Sequence, residues 1–501
     1  MRPLFYSGTE VIAATLPEDA RLVMPPPIGS GIGDVKAAVA RALEQPVDGK
    51  PLDERVSELS RVLLVYDAPT FPVPSLRVDP RIAAIEAILE ALAARGLPRE
   101  SVTLLCSTGV TRLYRNTEIA RVAGVTALAS HTALCHDAEA IDRLVEVGKT
   151  SEGELVELNA AVTEADLVVS LAVAQAPVQG GWTTLIPGLA SVACARTFLT
   201  AKNLAEGATP FDPSSRFQKA LRRGGRLLER KVSIFHVELA LDTRLWFKPV
   251  INLLRPEGEV PAPVAAWDRI PEPIRARASR LFRSEYQTIG VAAGSVNVAH
   301  AAVCDLLSSS NYAKVDSPAD VVVLGVPAVT PHTLGSYDNP VLDVASAFGY
   351  VLAWHDGKPL VRKGGAVVLL TPLHERFDRP THLPYVEFYE KVLAETREPA
   401  EMAERHEALF SGRPEYVAAY RRRHAYHGIQ PFHAWYQAWN VLSRVGKVIV
   451  VGAQEQTARR FGFESAKSLE DALGRARDFA GGPTASVAAP VLPPAFGIKV
   501  A

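Results

Sequence analysis

Six short runs of consecutive apolar residues, rich in Val, Ile and Leu, recur along the chain at 62–66, 102–106, 167–173, 321–326, 366–370 and 447–451. Apolar residues at every position, without alternation, predict strands buried on both faces, as in a parallel sheet. Helical spacing fills the stretches between them. Residues 81–95 form one such helix, stopped by Gly96 and Pro98. Residues 468–479 form another, opened by Ser468 with Glu470 and Asp471 in the first turn, where acidic groups favour a helix N-terminus. Strands alternating with helices predict an α/β fold with mainly parallel sheets. The strands fall into two groups, before about residue 200 and after about residue 315. This predicts two α/β domains, 1–305 and 306–501, with the crossover near 289–307. Residues 242–287 break the pattern with Pro249, Pro256, Pro261, Pro263, Pro271 and Pro273, and read as an insertion or lid.

A chain of 501 residues has room for two or three such cores. Lys and Arg number 54 against 55 Asp and Glu, so no net charge draws the chain to nucleic acid or an anionic membrane. The four cysteines, at 106, 135, 194 and 304, form no CxxC pair, which argues against a zinc knuckle, a redox dithiol or a disulfide framework. No Asp, Glu, Lys or Arg occurs from 167 to 195, long enough to span a membrane. Gln175, Pro177, Gln179, Gly180, Gly181, Pro187 and Gly188 interrupt that stretch, so a buried strand followed by a loop fits better. The N-terminus lacks the apolar run of a signal peptide, and a cytoplasmic protein is expected. Homo-oligomerisation is left open.

Ligands in open α/β sheets sit at the carboxyl ends of strands, so the residues just beyond each strand carry the candidate chemistry. Asp67 and Thr70 can hold a ribose or a base, or Asp67 can simply make a local turn before the prolines. In 107–112, small hydroxyl residues and Gly109 let the backbone approach an anion, with Arg112 as a bidentate anchor, or form an ordinary loop. His131 and the His136–Asp137 pair offer titratable groups, or serve as caps and surface residues. Residues 175–188 form a Gly/Pro-rich loop. Its backbone N–H groups at Gly180 and Gly181 can serve an anion, and Trp182 offers a stacking face. The loop holds no Lys, His, Cys or acid, hence no nucleophile and no strong metal ligand.

In order and spacing these stretches resemble the nickel-dependent lactate racemase family (LarA-like proteins). The resemblance runs through Asp67 with Thr70-Phe71-Pro72, Gly109-Val110-Thr111-Arg112, Ser130-His131 with Asp137, and Gln179-Gly180-Gly181-Trp182-Thr183-Thr184-Leu185-Ile186-Pro187-Gly188. Further matches are Gly290 to Gly294 with Ala299-His300, Lys363-Gly364-Gly365, and Phe461-Gly462-Phe463 with Ala466 to Glu470. The similarity covers nearly the whole chain outside 242–287.

The resemblance implies two α/β domains with a cleft between them. It also implies a nickel pincer nucleotide tethered to a lysine, and histidines that hold the metal and relay the proton of a 2-hydroxy acid. This chain departs where that chemistry needs side chains. Thr183 stands at the tethering lysine, Thr111 and Leu199 stand at histidine positions, and Phe71 replaces an arginine. Tyr337-Asp338-Asn339-Pro340-Val341 replaces a Y-Q-x-x-K-like stretch, and the loop's leading histidine is missing. A threonine cannot carry the lysine linkage, and without those histidines nickel and proton lack their usual partners. Covalent cofactor attachment is therefore not expected, and no metal ligands are assigned. The expectation is a small anionic ligand, a hydroxy acid or nucleotide, bound in the cleft with diverged chemistry. The catalytic candidates are His131 and Asp67. Arg112, Thr111, His433 and Trp435 are expected to contact the ligand, and Gly180, Gly181 and Thr183 to line the cofactor-like slot. The alternatives are a retained 2-hydroxy-acid racemase or epimerase, and a noncatalytic subunit using the insertion, with its Trp246-Phe247-Lys248, as an interface.

Overall fold

The computed structural model describes every residue except Met1, Ile28, 70–75, 246–259, 280, 282, 328–338 and 493–495. An N-terminal hairpin, β1 (Leu4–Ser7) and β2 (Glu10–Ala13), leads to a short strand, β3 (Arg21–Val23). Next come β4 (Val62–Asp67), β5 (Val102–Ser107), β6 (Thr132–Cys135), a hairpin of β7 (Leu144–Lys149) and β8 (Leu155–Asn159), β9 (Leu167–Ala174), β10 (Ile234–Leu241) and β11 (Thr288–Gly294). The second half supplies β12 (Tyr312–Val315), β13 (Ala319–Gly325), β14 (His355–Gly357), β15 (Val361–Leu370), β16 (Lys447–Val451), β17 (Glu464–Ala466), β18 (Val487–Pro490) and β19 (Gly497–Val500).

The first sheet has the order β11-β10-β9-β4-β5-β6, parallel except for the antiparallel edge strand β11. Every residue of β9 is buried, as its unbroken apolar run requires for a central strand. Strand order reverses between β4 and β9, and the crevice beyond such a reversal is where α/β sheets hold ligands. The second sheet, β17-β16-β15-β13-β18-β3, is parallel throughout. All six apolar runs are strands at the core of these sheets, and both expected helices form. Asp79 caps the helix Pro80–Ala94, and Ser468 Oγ accepts from Asp471 N (3.2 Å) at the start of Leu469–Ala480.

The structure divides the chain differently from the simple split at 305/306. Strand β3, only 21 residues from the start, pairs with β18 at the edge of the second sheet, with Arg21 opposite Ala488. The two sheets also share one apolar core that runs from Leu63 and Val168 to Val322, Tyr350 and Trp435. Buried Asn311 ties the halves together, its Nδ2 donating to the carbonyls of Gln175 (2.9 Å) and Leu241 (2.8 Å). His427 N donates to Thr111 O (2.9 Å) across the same boundary.

Within the insertion, the helices Ala262–Asp268 and Glu272–Ser279 dock on the N-terminal hairpin. Trp267 Nε1 donates to Thr9 O (2.8 Å), and Arg275 pairs with Glu10. The Trp246-Phe247-Lys248 stretch, the Thr70-Phe71-Pro72 motif and the Tyr337-Asp338 positions lie outside the described residues.

Replacing Asn311 with alanine strands two buried carbonyls at the junction. The Asn311→Ala variant should lose about 1–3 kcal/mol, read as a lower denaturation midpoint in urea.

Candidate functional site

At the reversal point, β4 ends on Asp67. Its Oδ2 accepts from Val173 N (2.9 Å) on β9, and its Oδ1 accepts from Thr184 Oγ1 (2.7 Å) in the loop after β9. Desolvation raises the Asp67 pKa, against the pull of Arg81 and these two hydrogen bonds. Arg81 is itself buried. It forms a bidentate pair with Asp79 (2.7 and 2.9 Å) and donates Nη1 to the carbonyls of Asp67 (2.9 Å) and Ala68 (3.0 Å). A buried guanidinium with all these partners fixes where the chain leaves the strand.

The 175–188 loop was expected to offer free backbone N–H groups to an anion. In the structure a side chain of the protein takes that role. Gly181 N donates to Glu238 Oε2 (2.8 Å), and Glu238 lies on β10 with its carboxylate fully buried. Both glycines have positive φ, 74° and 53°. A Cβ at Gly180 would overlap the Glu238 carboxylate, and one at Gly181 would lie 2.8 Å from His300 Cγ. Glycine is thus required twice over, by backbone angle and by space.

Thr183, at the tethering-lysine position, donates Oγ1 to Gly180 O (2.5 Å) and holds the turn closed. Trp182 is buried rather than stacking on a ligand: Nε1 donates to Asn297 Oδ1 (2.9 Å), and the ring rests on Gly225. Gln179 Oε1 accepts from the N–H groups of Gln175 (3.0 Å) and Ala176 (2.9 Å). Glu238 pairs with Ala172 of β9, and Asp67 follows the Tyr66–Leu171 pair by one residue, which sets both on the same sheet face. Between them they clamp the short turn Gly181–Thr184.

Glu238 is the centre of a buried polar chain. His236 Nε2 donates to Oε2 (2.7 Å), and His300 Nδ1 lies 2.9 Å from Oε1 and 3.2 Å from Oε2. His300 and Cys304 lie one turn apart on the helix Val296–Ser310, with Sγ 3.4 Å from Nε2. Burial works against ionisation of Glu238, but the charge of His300 and the two imidazole hydrogen bonds hold its pKa well below the usual carboxylate range. Burial likewise opposes charge on His300, and attraction to Glu238 together with contacts to Cys304 raises its pKa well above normal.

The structure disperses the remaining sequence candidates. Arg112 is buried and paired with Glu118 through Nη2–Oε1 (2.5 Å) and Nη1–Oε2 (3.2 Å), with its guanidinium 4.3 Å from the Tyr114 ring centroid. Thr111 Oγ1 donates to Thr108 O (2.7 Å). His131 precedes β6 at the amino end of the sheet, away from Asp67 and the loop, and Nδ1 contacts Ser130 Oγ (3.1 Å) and Ala127 O (3.2 Å) as a helix-end residue. His136, at the carboxyl end, is the better placed of the two, but it is buried against Ala190 O (2.9 Å) with its pKa pushed down to about 4 by desolvation. His433 and Trp435 lie in the helix Gln430–Leu442. Burial, with His427 and Arg196 nearby, pushes the His433 pKa down to about 3. Trp435 donates Nε1 to Arg397 O (2.8 Å) and packs on Phe461. None of these joins the Glu238 cluster.

This donor set does not fit a lysine-tethered nickel pincer nucleotide. Position 183 carries a hydroxyl already bonded to the backbone, and the N–H at Gly181 faces a carboxylate that would repel a phosphate. Among the described residues, no three His, Cys, Asp or Glu side chains are arranged to hold a metal ion. No described helix is long and apolar enough to cross a membrane.

Of this cluster, the sequence singles out His300 alone, within the Ala299-His300 match. For His236 and Glu238 the signal is the run IFHVELAL, where two polar residues share one side of an otherwise apolar strand.

Glu238→Gln removes the counter-charge of His300 and should cost about 3–5 kcal/mol. The Glu238 contribution is present above the unfolded carboxylate pKa and fades as pH falls through its depressed folded value. The His300 contribution is present below the unfolded imidazole pKa and fades as pH rises through its raised folded value. The gap between wild type and variant should therefore be widest between about pH 4.3 and 6.5. Urea unfolding across pH 4–9 measures it. Gly181→Ala should destabilise by more than about 1 kcal/mol in the same assay, from positive φ and the imidazole contact.

Residues 7–201 match the model of the lactate racemase N-terminal domain. A lactate racemase from Thermoanaerobacterium thermosaccharolyticum is 27% identical over 160 residues, which span 31% of this chain and 36% of that protein. The structure of the lactate racemase apoprotein from the same organism superposes with a TM-score of 0.66 at 16% identity, over the full length of both chains. A crystal structure of a Thermotoga maritima protein superposes with a TM-score of 0.51 at 15% identity, over 94% of this chain and 99% of that one. The matched N-terminal region includes the whole 175–188 loop, so residues 7–201 are similar to a lactate racemase N-terminal domain and the chain has the lactate racemase fold.

Proposed function

We propose that this protein binds a small anionic ligand, of the 2-hydroxy-acid or nucleotide class, at the strand ends of the lactate racemase fold, and that its chemistry has diverged from nickel-pincer racemisation. One observation carries the reading: the Gly180–Gly181 turn is closed by Thr183 and filled by Glu238. A slot that contains its own carboxylate has no place for the tethered cofactor. Thr183 and Glu238 sit on separate elements and act on the same turn.

Arg112 is the anchor favoured for the anion. It is a permanent cation just beyond β5, positioned by Tyr114 and already recognising one carboxylate, that of Glu118. An incoming carboxylate would share or take over that recognition. Asp67, at the reversal point, is the favoured acid/base group, since it sits at a carboxyl strand end and burial raises its pKa. Retained racemase activity is the second reading, motivated by the lactate racemase matches.

Co-expression with cofactor-making enzymes, followed by intact-mass and nickel analysis, separates these readings. The expected result is the unmodified chain mass and no stoichiometric nickel. A mass increase removed by Thr183→Ala would overturn the proposal. Lactate serves as the anionic probe in calorimetric titration, where Arg112→Ala should weaken binding by roughly tenfold, about 1.4 kcal/mol. Unchanged binding would remove Arg112 from the site.

A further inference from the structure

Cys304 is the one cysteine that touches the Glu238 cluster. Cys194 is buried, and Cys106 is buried with Cys135 opposite it on the neighbouring strand. Cys304 and His300 are both partly exposed, unlike Cys106 and Cys194. Three independent features hold the pair in register. The i, i+4 spacing on the helix Val296–Ser310 stacks the imidazole and the thiol on one face, while Val296, Ala299, Val303 and Leu307 bury the other. Glu238 fixes the ring through Nδ1, leaving Nε2 toward Sγ. Gly181 lacks the Cβ that would push the ring away. The order of groups is thiol, imidazole, carboxylate, which is how a cysteine nucleophile is activated on unrelated folds.

We propose that Cys304 is a reactive thiol that takes an electrophilic carbon, acyl or alkyl, with His300 as its proton partner and Glu238 as the positioning residue. The inference stands apart from the proposed anion site and rests on none of its residues. As Sγ attacks, its proton passes to Nε2, and Glu238 accepts Nδ1–H from the ring. With an acyl thioester, the bond from Sγ to the carbonyl carbon forms and the bond to the leaving sulfur breaks. The leaving thiolate takes the Nε2 proton. With an alkyl halide, halide leaves with the bonding pair and the proton stays on the ring until water removes it. Both steps balance without oxidant or metal. Among the described residues, Tyr312 of β12 lies near Cys304, His236 of β10 reaches the pair only through the Glu238 carboxylate, and the Gly181–Thr184 turn has no titratable group.

The test uses iodoacetamide on the native full-length protein, with peptide mass mapping of all four cysteines over time at pH 7. Cys304 should be alkylated roughly tenfold faster than glutathione under the same conditions. A Cys304 rate at or below that of glutathione overturns the proposal, and this measurement needs no variant. His300→Gln should bring the Cys304 rate down to that of glutathione and leave the Cys135 rate unchanged. An unaltered Cys304 rate in folded His300→Gln would also overturn it. Glu238→Gln should slow Cys304 as well, with partial recovery in Glu238→Asp, which retains the charge. Equal loss in both would place Glu238 in a purely structural role and overturn its assignment as positioning residue.

Discussion

The first domain is organised around one buried carboxylate. Glu238 has no access to water, so it must be satisfied by protein groups or remain protonated. The fold supplies an N–H from the Gly181 turn, an imidazole from its own strand and another from the helix Val296–Ser310. Each donor comes from a different part of the chain, so loop, sheet and helix are positioned by one another. The requirement reaches back into the sequence as two glycines that tolerate no side chain, and forward to Asp67, which grips the other end of the same turn through Thr184.

This interlock explains the strange composition of the loop. A backbone cradle rich in glycine and free of charged side chains looks like a place for a phosphate. Here the same features serve a carboxylate that arrives from β10, more than fifty residues later in the chain. Glycine provides close approach in either case. The sequence around the turn does not reveal whether the approaching group belongs to a ligand or to the protein.

Legibility followed the same division. Strands such as Lys447–Val451 were readable because an unbroken apolar run on a central parallel strand has only one comfortable place. Strand β10 was not, because His236 and Glu238 interrupt its apolar pattern, and their meaning depends on partners far away in sequence. His131 shows the converse: its residue type suggests chemistry, whereas its place before β6 sets it at the amino end of the sheet. Position along a strand, carboxyl end or amino end, decides whether a histidine can join a site, and a motif without its strand lacks that information. Strand β3 shows the limit for topology, since nothing local in three residues declares that they will border a sheet built from the far half of the chain.

Thr183 and Glu238 act on the same turn from two sides. A lysine at 183 would place an ammonium beside the turn and favour an anion there. A threonine hydroxyl turned onto Gly180 O removes that cation and closes the turn. The N–H of Gly181 then still needs an acceptor, because a buried donor left unpaired costs about 1–3 kcal/mol. Glu238 is that acceptor, and its charge in turn requires His300. The chain of needs ends at the half-exposed edge of the helix, where the remaining ring nitrogen of His300 faces Cys304.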